Sequence, residues 1–232
     1  MPKSLGAPHD HSYYIPLGTP FCAGLGARST RALGARGSRY PLRRKADRRE
    51  RPNQPGIQGI AALWAVPAIE DGDLKLFESG AIVLEIAERS DALLPADTQG
   101  RARARAWTLA ALNTVEPPIS HLGGLMIFHV NEPWAAPALP TAEQAVCKRL
   151  DELAQWLGER DYLEDRFTVG DLMMTTVLRI LRDTSLVSDR PALQAYQLRC
   201  EARPAFRKAL ADHLRPFAEY EAARASARPA AG

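Results

Sequence analysis

The chain has 232 residues, enough for one large domain or two small ones with real cores. Its three cysteines, Cys22, Cys147 and Cys200, are far apart and lack CxxC spacing, which argues against a disulfide framework or a metal site and for a reducing compartment, the cytoplasm. The net charge of +3 hides an imbalance, because residues 1–65 carry 11 of the 30 Lys+Arg but 3 of the 27 Asp+Glu; the basic run RRKADRRERPNQP has no interleaved aromatics, so nucleic acid is not the expected partner.

Residues 1–65 are rich in Gly, Pro and Arg and show little periodicity. The opening MPKSLGAPHDHSYY lacks the apolar stretch of a signal peptide, and no apolar run in the chain approaches the roughly 18 residues of a membrane span. At Val66 the texture changes. VPAIEDGDLKLFES predicts two short strands around EDGD, since Asp-Gly between apolar runs is a hairpin signal. Ser79 then has the chemistry of a helix N-cap, and Ile82, Val83, Ile86 and Ala87 form the apolar stripe of a helix ending near Arg89. SDALLPADTQG reads as a linker.

The rest is helical in pattern. RARARAWTLAALNTV and its continuation predict one long segment that Pro117-Pro118 must bend or interrupt. NEPWAAPALP reads as a proline-rich connection to a helix whose Ala145, Leu150, Leu153, Ala154 and Leu157 share one side. FTVGDLMMTTVLRIL is apolar nearly all round, which predicts the buried centre of an all-helical domain. RPALQAYQLRCEARPAFRKALADHL supplies further helices, and ASARPAAG a loose tail. Trp107, Trp134 and Trp156 read as core or boundary residues.

A strand-containing unit ending in VPAIEDGDLKLFESGAIVLEIAER, followed by helices containing FTVGD, resembles the cytosolic glutathione S-transferases from Val66 to about residue 220. The resemblance implies an α/β thioredoxin-like N-terminal domain over residues 1–90, a connector at 91–97 and an all-α C-terminal domain over 98–225. It implies glutathione as co-substrate without a cofactor, a hydrophobic electrophile as second substrate, a detoxifying activity and a homodimer. Val66-Pro67 matches the position where the family has a cis-proline whose preceding residue turns its backbone toward the cysteinyl part of glutathione; without the family, a trans proline opening a strand is the ordinary reading. Glu78 and Ser79 match the acid and serine that meet the ammonium and α-carboxylate of the γ-glutamyl end. A plain helix cap is the alternative role of Ser79, and the two are compatible. Thr168 and Asp171 match the family's N-capping box, which is structural.

The electrophile is expected between the domains, beside Val115, Ile119, Leu122 and Met126, although that spacing suits a core or a dimer face equally. His121 is a lone helical histidine, ordinarily not catalytic. The family's catalytic Tyr, Ser or Cys falls within YYIPLGTPFCAGLGARSTRAL, where Ser29 and Cys22 are the candidates; each is also readable as an ordinary helix-start serine and an ordinary thiol. A non-catalytic interaction protein of the same fold, or the inactive product of a damaged gene, are the alternative functions.

The damaged-gene reading rests on residues 34–65, which do not follow the family. Read one base later with permitted synonymous codons, Leu33 to Leu42 can encode WALEEAGIPY and Asn53 to Trp64 can encode TSPEFKALxPFG, both family-like, with normal phase resuming at Val66. Residues 34–65 therefore read as a frameshifted segment, its basic character a by-product. Sequencing the coding DNA across codons 30–70 is expected to show compensating single-base changes near codons 33 and 65; an uninterrupted original frame overturns the reading.

Overall fold

The computed structural model of the chain describes residues 13–14 and 67–226. A three-stranded antiparallel sheet comes first, β1 (Tyr13–Tyr14), β2 (Ala68–Asp71) and β3 (Leu74–Phe77), with β2 in the middle. Ala68 pairs with Phe77 and Asp71 with Leu74, which leaves Gly72 and Asp73 as a two-residue turn. Gly72 has φ 61°, and glycine at the first central position is what a type II′ hairpin requires. The turn pair is thus Gly-Asp, one residue later than the Asp-Gly pair in the sequence reading.

Helix α1 (Ser79–Glu88) follows directly, and its apolar stripe is split between two neighbours. Ile82 and Ile86 pack with Ile69 and Leu76 of the sheet. Val83 and Ala87 belong instead to the core of the helical part. Burying an isoleucine or valine in this way contributes roughly 1.5–3 kcal/mol each. Just beyond the helix, Arg89 pairs with Asp71 of β2 and with Glu85, which fixes the helix end to the hairpin. The segment after it, read as a linker, is anchored. Leu93 and Leu94 lie in the helical core, the Leu93 carbonyl accepts the Val169 N–H at 2.8 Å, and Arg166 donates to the Asp91 carbonyl.

Asp97 caps α2 (Thr98–Ala110), its carboxylate accepting the Gly100 N–H at 2.7 Å. A π-helical stretch, Ala111–Val115, joins α2 to α3 (Glu116–Ile127) without a break. Pro117 and Pro118 explain it. Each lacks an N–H, and each ring needs room against the carbonyl four residues back, at Asn113 and Thr114; the wider turn supplies that room. The prolines therefore loosen the helix and do not interrupt it. Helix α4 (Ala135–Leu157) begins inside the stretch expected to be a connection, with Pro137 in its first turn and Pro140 within it. Its buried side is Ala142, Val146, Leu150, Leu153 and Leu157; Ala145 is exposed, and Ala154 is half-buried.

All ten residues of α5 (Val169–Leu178) are buried. Helices α2, α4 and α6 (Pro191–Glu201) and the π stretch surround it or one another, and α7 (Pro204–Ser226) packs on α6. Trp107 and Trp156 meet at 5.3 Å between ring centres at the edge of this core, each indole N–H donating, to Glu164 and to the Leu163 carbonyl. Trp134 is different, at 53% exposed.

The start of α5 is held by a capping box. Thr168 Oγ1 accepts the Gly170 N–H at 3.2 Å, and Asp171 accepts the Thr168 N–H at 2.8 Å. Asp171 also accepts the Leu163 N–H at 2.8 Å and the Tyr196 hydroxyl at 3.1 Å, so a fully buried carboxyl ties together three segments. Burial pushes its pKa up, against the pull of these hydrogen bonds. Each buried donor left without it would cost about 1–3 kcal/mol.

Gly170 lets α5 approach α2 closely. A Cβ there would lie 2.5 Å from Trp107 Cβ and 3.2 Å from the Ala104 carbonyl oxygen. Neither atom is the end of a flexible side chain, so the helices must move apart. Gly170→Ala is expected to destabilise the fold by about 2–3 kcal/mol through overpacking. Urea unfolding measures it, and an unchanged midpoint would show that the approach of α5 to α2 does not depend on the missing side chain.

Candidate functional site

Between β3 and α1 the chain makes a turn that side chains rarely allow. Glu78 has φ 70° and ψ 124°, and among the described residues it alone, glycines aside, has positive φ. Such a conformation costs roughly 1–3 kcal/mol and persists where surrounding structure enforces it, commonly at ligand clamps and active sites. The Glu78 carbonyl accepts the Ile82 N–H at 3.0 Å, the first bond of α1. Glu78 is therefore the cap residue, and its side chain makes no capping bond.

This corrects the expectation for Ser79, which is the first helical residue and not the N-cap. The consequence is chemical. The N–H groups of Ser79, Gly80 and Ala81 precede the first helical bond, so they have no partner within the helix, and they point from its positive end. Ser79 is half-buried beside them and Glu78 is exposed, which places a hydroxyl, three amides and a carboxylate at one corner. The amides and hydroxyl can hold a carboxylate. The Glu78 side chain can meet a cation.

Behind this corner the sheet and helical bundle close up. Pro67 is buried at the start of β2, and Gly80 is buried against the second part of the chain. A Cβ on Gly80 would stand 2.7 Å from Leu112 Cδ1, so the π stretch lies directly against the opening of α1. At the other end of α1, Glu88 receives hydrogen bonds from both Arg101 and Arg105 of α2. The Arg105 guanidinium, with Arg101 beside it, holds the Glu88 carboxyl below its ordinary range in spite of partial desolvation.

Val66, Ser29 and Cys22 lie outside the described residues, as do residues 34–65. Of the residues expected beside the electrophile, Val115, Ile119 and Leu122 belong to the helical core, and Met126 is exposed. They do not form a common wall. His121 is exposed. Burial pushes the Cys200 thiol up to about 12, which keeps it protonated and unreactive. The sequence names Glu78 as the acid beside Ser79 but gives no sign of Leu112 or of the strained backbone at Glu78. Neither the contact of Leu112 with the opening of α1 nor the positive φ has a signal in the order of residues.

A family model described as the C-terminal domain of glutathione S-transferases matches residues 119–204. A glutathione S-transferase of Hyoscyamus muticus is 33% identical over 155 residues, covering 62% of this chain and 73% of that protein. The chain belongs to the glutathione S-transferase family. Glutathione S-transferase 3 of Zea mays is also 33% identical, over 68% of this chain and 76% of its own length. Among solved structures, glutathione transferase F2 from Populus trichocarpa superposes with a TM-score of 0.75 at 22% identity, over 88% of this chain and 98% of that one. A glutathione transferase from Burkholderia graminis, with two glutathione molecules bound per subunit, gives 0.72 at 24% identity over 88% of each chain. The fold is that of the family, a thioredoxin-like unit followed by a helical domain.

In this family member the Glu88 pairings have a pH signature. A carboxyl whose pKa is depressed on folding contributes stability above its ordinary value of 4.5 and loses it as pH falls through the depressed value. Glu88→Gln should therefore be less stable than the parent at pH 7, and the two should converge in acid. Denaturant midpoints across pH measure this, and a gap that does not narrow in acid would remove the pairings from the stability balance.

Proposed function

We propose that the chain is a glutathione transferase, joining the glutathione thiolate to a hydrophobic electrophile, and that the corner at Glu78–Ala81 holds the γ-glutamyl end of glutathione. The observation that carries the reading is the uncapped start of α1. Its first amides have no partner within the helix and lie at its positive end, and no side chain caps them. The half-buried Ser79 hydroxyl and the exposed Glu78 carboxylate adjoin them, which supports a site for an α-carboxylate with a counter-charge for its ammonium group. Pro67, preceded by Val66, would present backbone to the cysteinyl part from the neighbouring strand start.

The chemistry then concerns the thiol. At a pKa of about 8.5 only a few per cent of it is ionised at neutral pH, and lowering that by ~2 units needs roughly 2.7 kcal/mol of preferential thiolate stabilisation. Ser29 or Cys22 is the proposed source. The thiolate sulfur attacks an electrophilic carbon, a C–S bond forms, and the electron pair leaves with the departing group or moves onto an activated oxygen. In this reading residues 1–90 bind glutathione, 91–97 connect, and 98–225 complete the electrophile site, in a cytoplasmic homodimer that serves detoxification.

The test is a pair of ligands. Because the Ser79 hydroxyl does not cap α1, Ser79→Ala is expected to change stability by less than ~0.5 kcal/mol. It should weaken glutathione binding about tenfold, ~1.4 kcal/mol, and affect far less an analogue lacking the γ-glutamyl α-carboxylate. Calorimetric titration of both ligands reads the difference, with a chain restored to the shifted frame over 34–65 titrated in parallel. Equal losses for the two ligands would remove Ser79 from the carboxylate site.

A further inference from the structure

Among the described residues, no partner gives the charged side chain of Glu116 a structural duty. It is half-buried, and burial alone pushes its carboxyl up; among the described residues neither a hydrogen bond nor a neighbouring charge acts on it. Its neighbours one helical turn away, across the π stretch and along α3, are Ala111, Leu112, Ile119 and Ser120, none of them a cation. Nor does it complete a helix start. α3 continues from the π stretch without an opening, and the next two residues, Pro117 and Pro118, have no N–H to donate.

Its place in the fold is specific. Leu112, four residues before it and on the same face, touches the opening of α1 at Gly80, next to Ser79. Gly123, seven residues after it, continues that face, and a Cβ on Gly123 or Gly124 would meet nothing within 4 Å. The face thus runs from the proposed glutathione corner, past the Glu116 carboxyl, to open space. A carboxylate stripped of part of its water, and with no partner among the described residues, gains from a cation that reaches it.

We propose that Glu116 is a specificity-determining residue of the electrophile site and selects substrates that carry a positive charge close to the electrophilic carbon. The inference rests on the transferase reading for its location. The carboxylate pairs with the substrate cation and takes no part in the bond-forming step, so its effect is confined to which electrophile is accepted.

The experiment compares 4-(trimethylammoniomethyl)benzyl chloride with its uncharged isostere, 4-neopentylbenzyl chloride, as substrates for conjugation to glutathione by the full chain and by Glu116→Gln. The variant is expected to lose about tenfold in kcat/KM for the cationic chloride and less than about twofold for the neutral one, with an unchanged melting temperature. Equal losses, or none, overturn the proposal. Equilibrium binding of the unreactive pair, benzyltrimethylammonium and neopentylbenzene, supplies a second reading without turnover. If the parent conjugates neither chloride, the transferase reading fails by itself. The Glu116 proposal is still decided, standing if Glu116→Gln weakens only the ammonium and falling if it does not.

Discussion

Helix α1 is buried from two sides, and the rest of the molecule depends on that. Ile82 and Ile86 complete the small apolar cluster of the sheet, and Val83 and Ala87 complete the large one of the bundle. Ten residues thus form a common wall, which neither part can do without. Its C-terminal end is secured by charge on both sides, Arg89 to the hairpin and Glu88 to α2, and these pairs orient what the apolar contacts hold. Because the wall cannot shift, the turn before it cannot relax, and the strained backbone at Glu78 persists.

The bundle has its own tie. Asp171 lies where the segment after α4, the start of α5 and the side of α6 converge, and it accepts hydrogen bonds from all three. A carboxylate can accept several donors at once, which no apolar residue could replace without orphaning the Leu163 and Thr168 amides. Gly170 beside it permits the close approach of α5 and α2. The polar tie and the missing side chain work together, since the first fixes where α5 starts and the second how near it comes.

Much of this was legible because it is local. The hairpin, the stripe of α1, the Thr168–Asp171 box and the all-apolar α5 are patterns within a dozen residues, and each stands in the structure. What escaped depends on tertiary context. Positive φ at Glu78 has no residue code, since glycine is the usual sign of it and here a glutamate is forced into it. Tyr196 meets Asp171 from 25 residues away. Leu93 and Leu94 read as linker because two leucines carry no period, yet they are core. On α4 the reading took Ala145 where Ala142 and Val146 are buried, because alanine is compatible with either face. The candidate corner was found through Ser79, but its geometry belongs to the residue before.

The π-helical stretch has a consequence for how one rod serves two partners. A turn closed by i→i+5 bonds holds an extra residue, so side chains downstream lag those of a regular helix by up to about 100° of rotation. Upstream, α2 packs chiefly on α5; downstream, α3 packs chiefly on α4. A regular helix through the same thirty residues would have to offer both partners one continuous stripe. The phase slip at Ala111–Val115 lets the apolar face change direction midway, so that two differently placed neighbours are satisfied without a loop and without a second helix start.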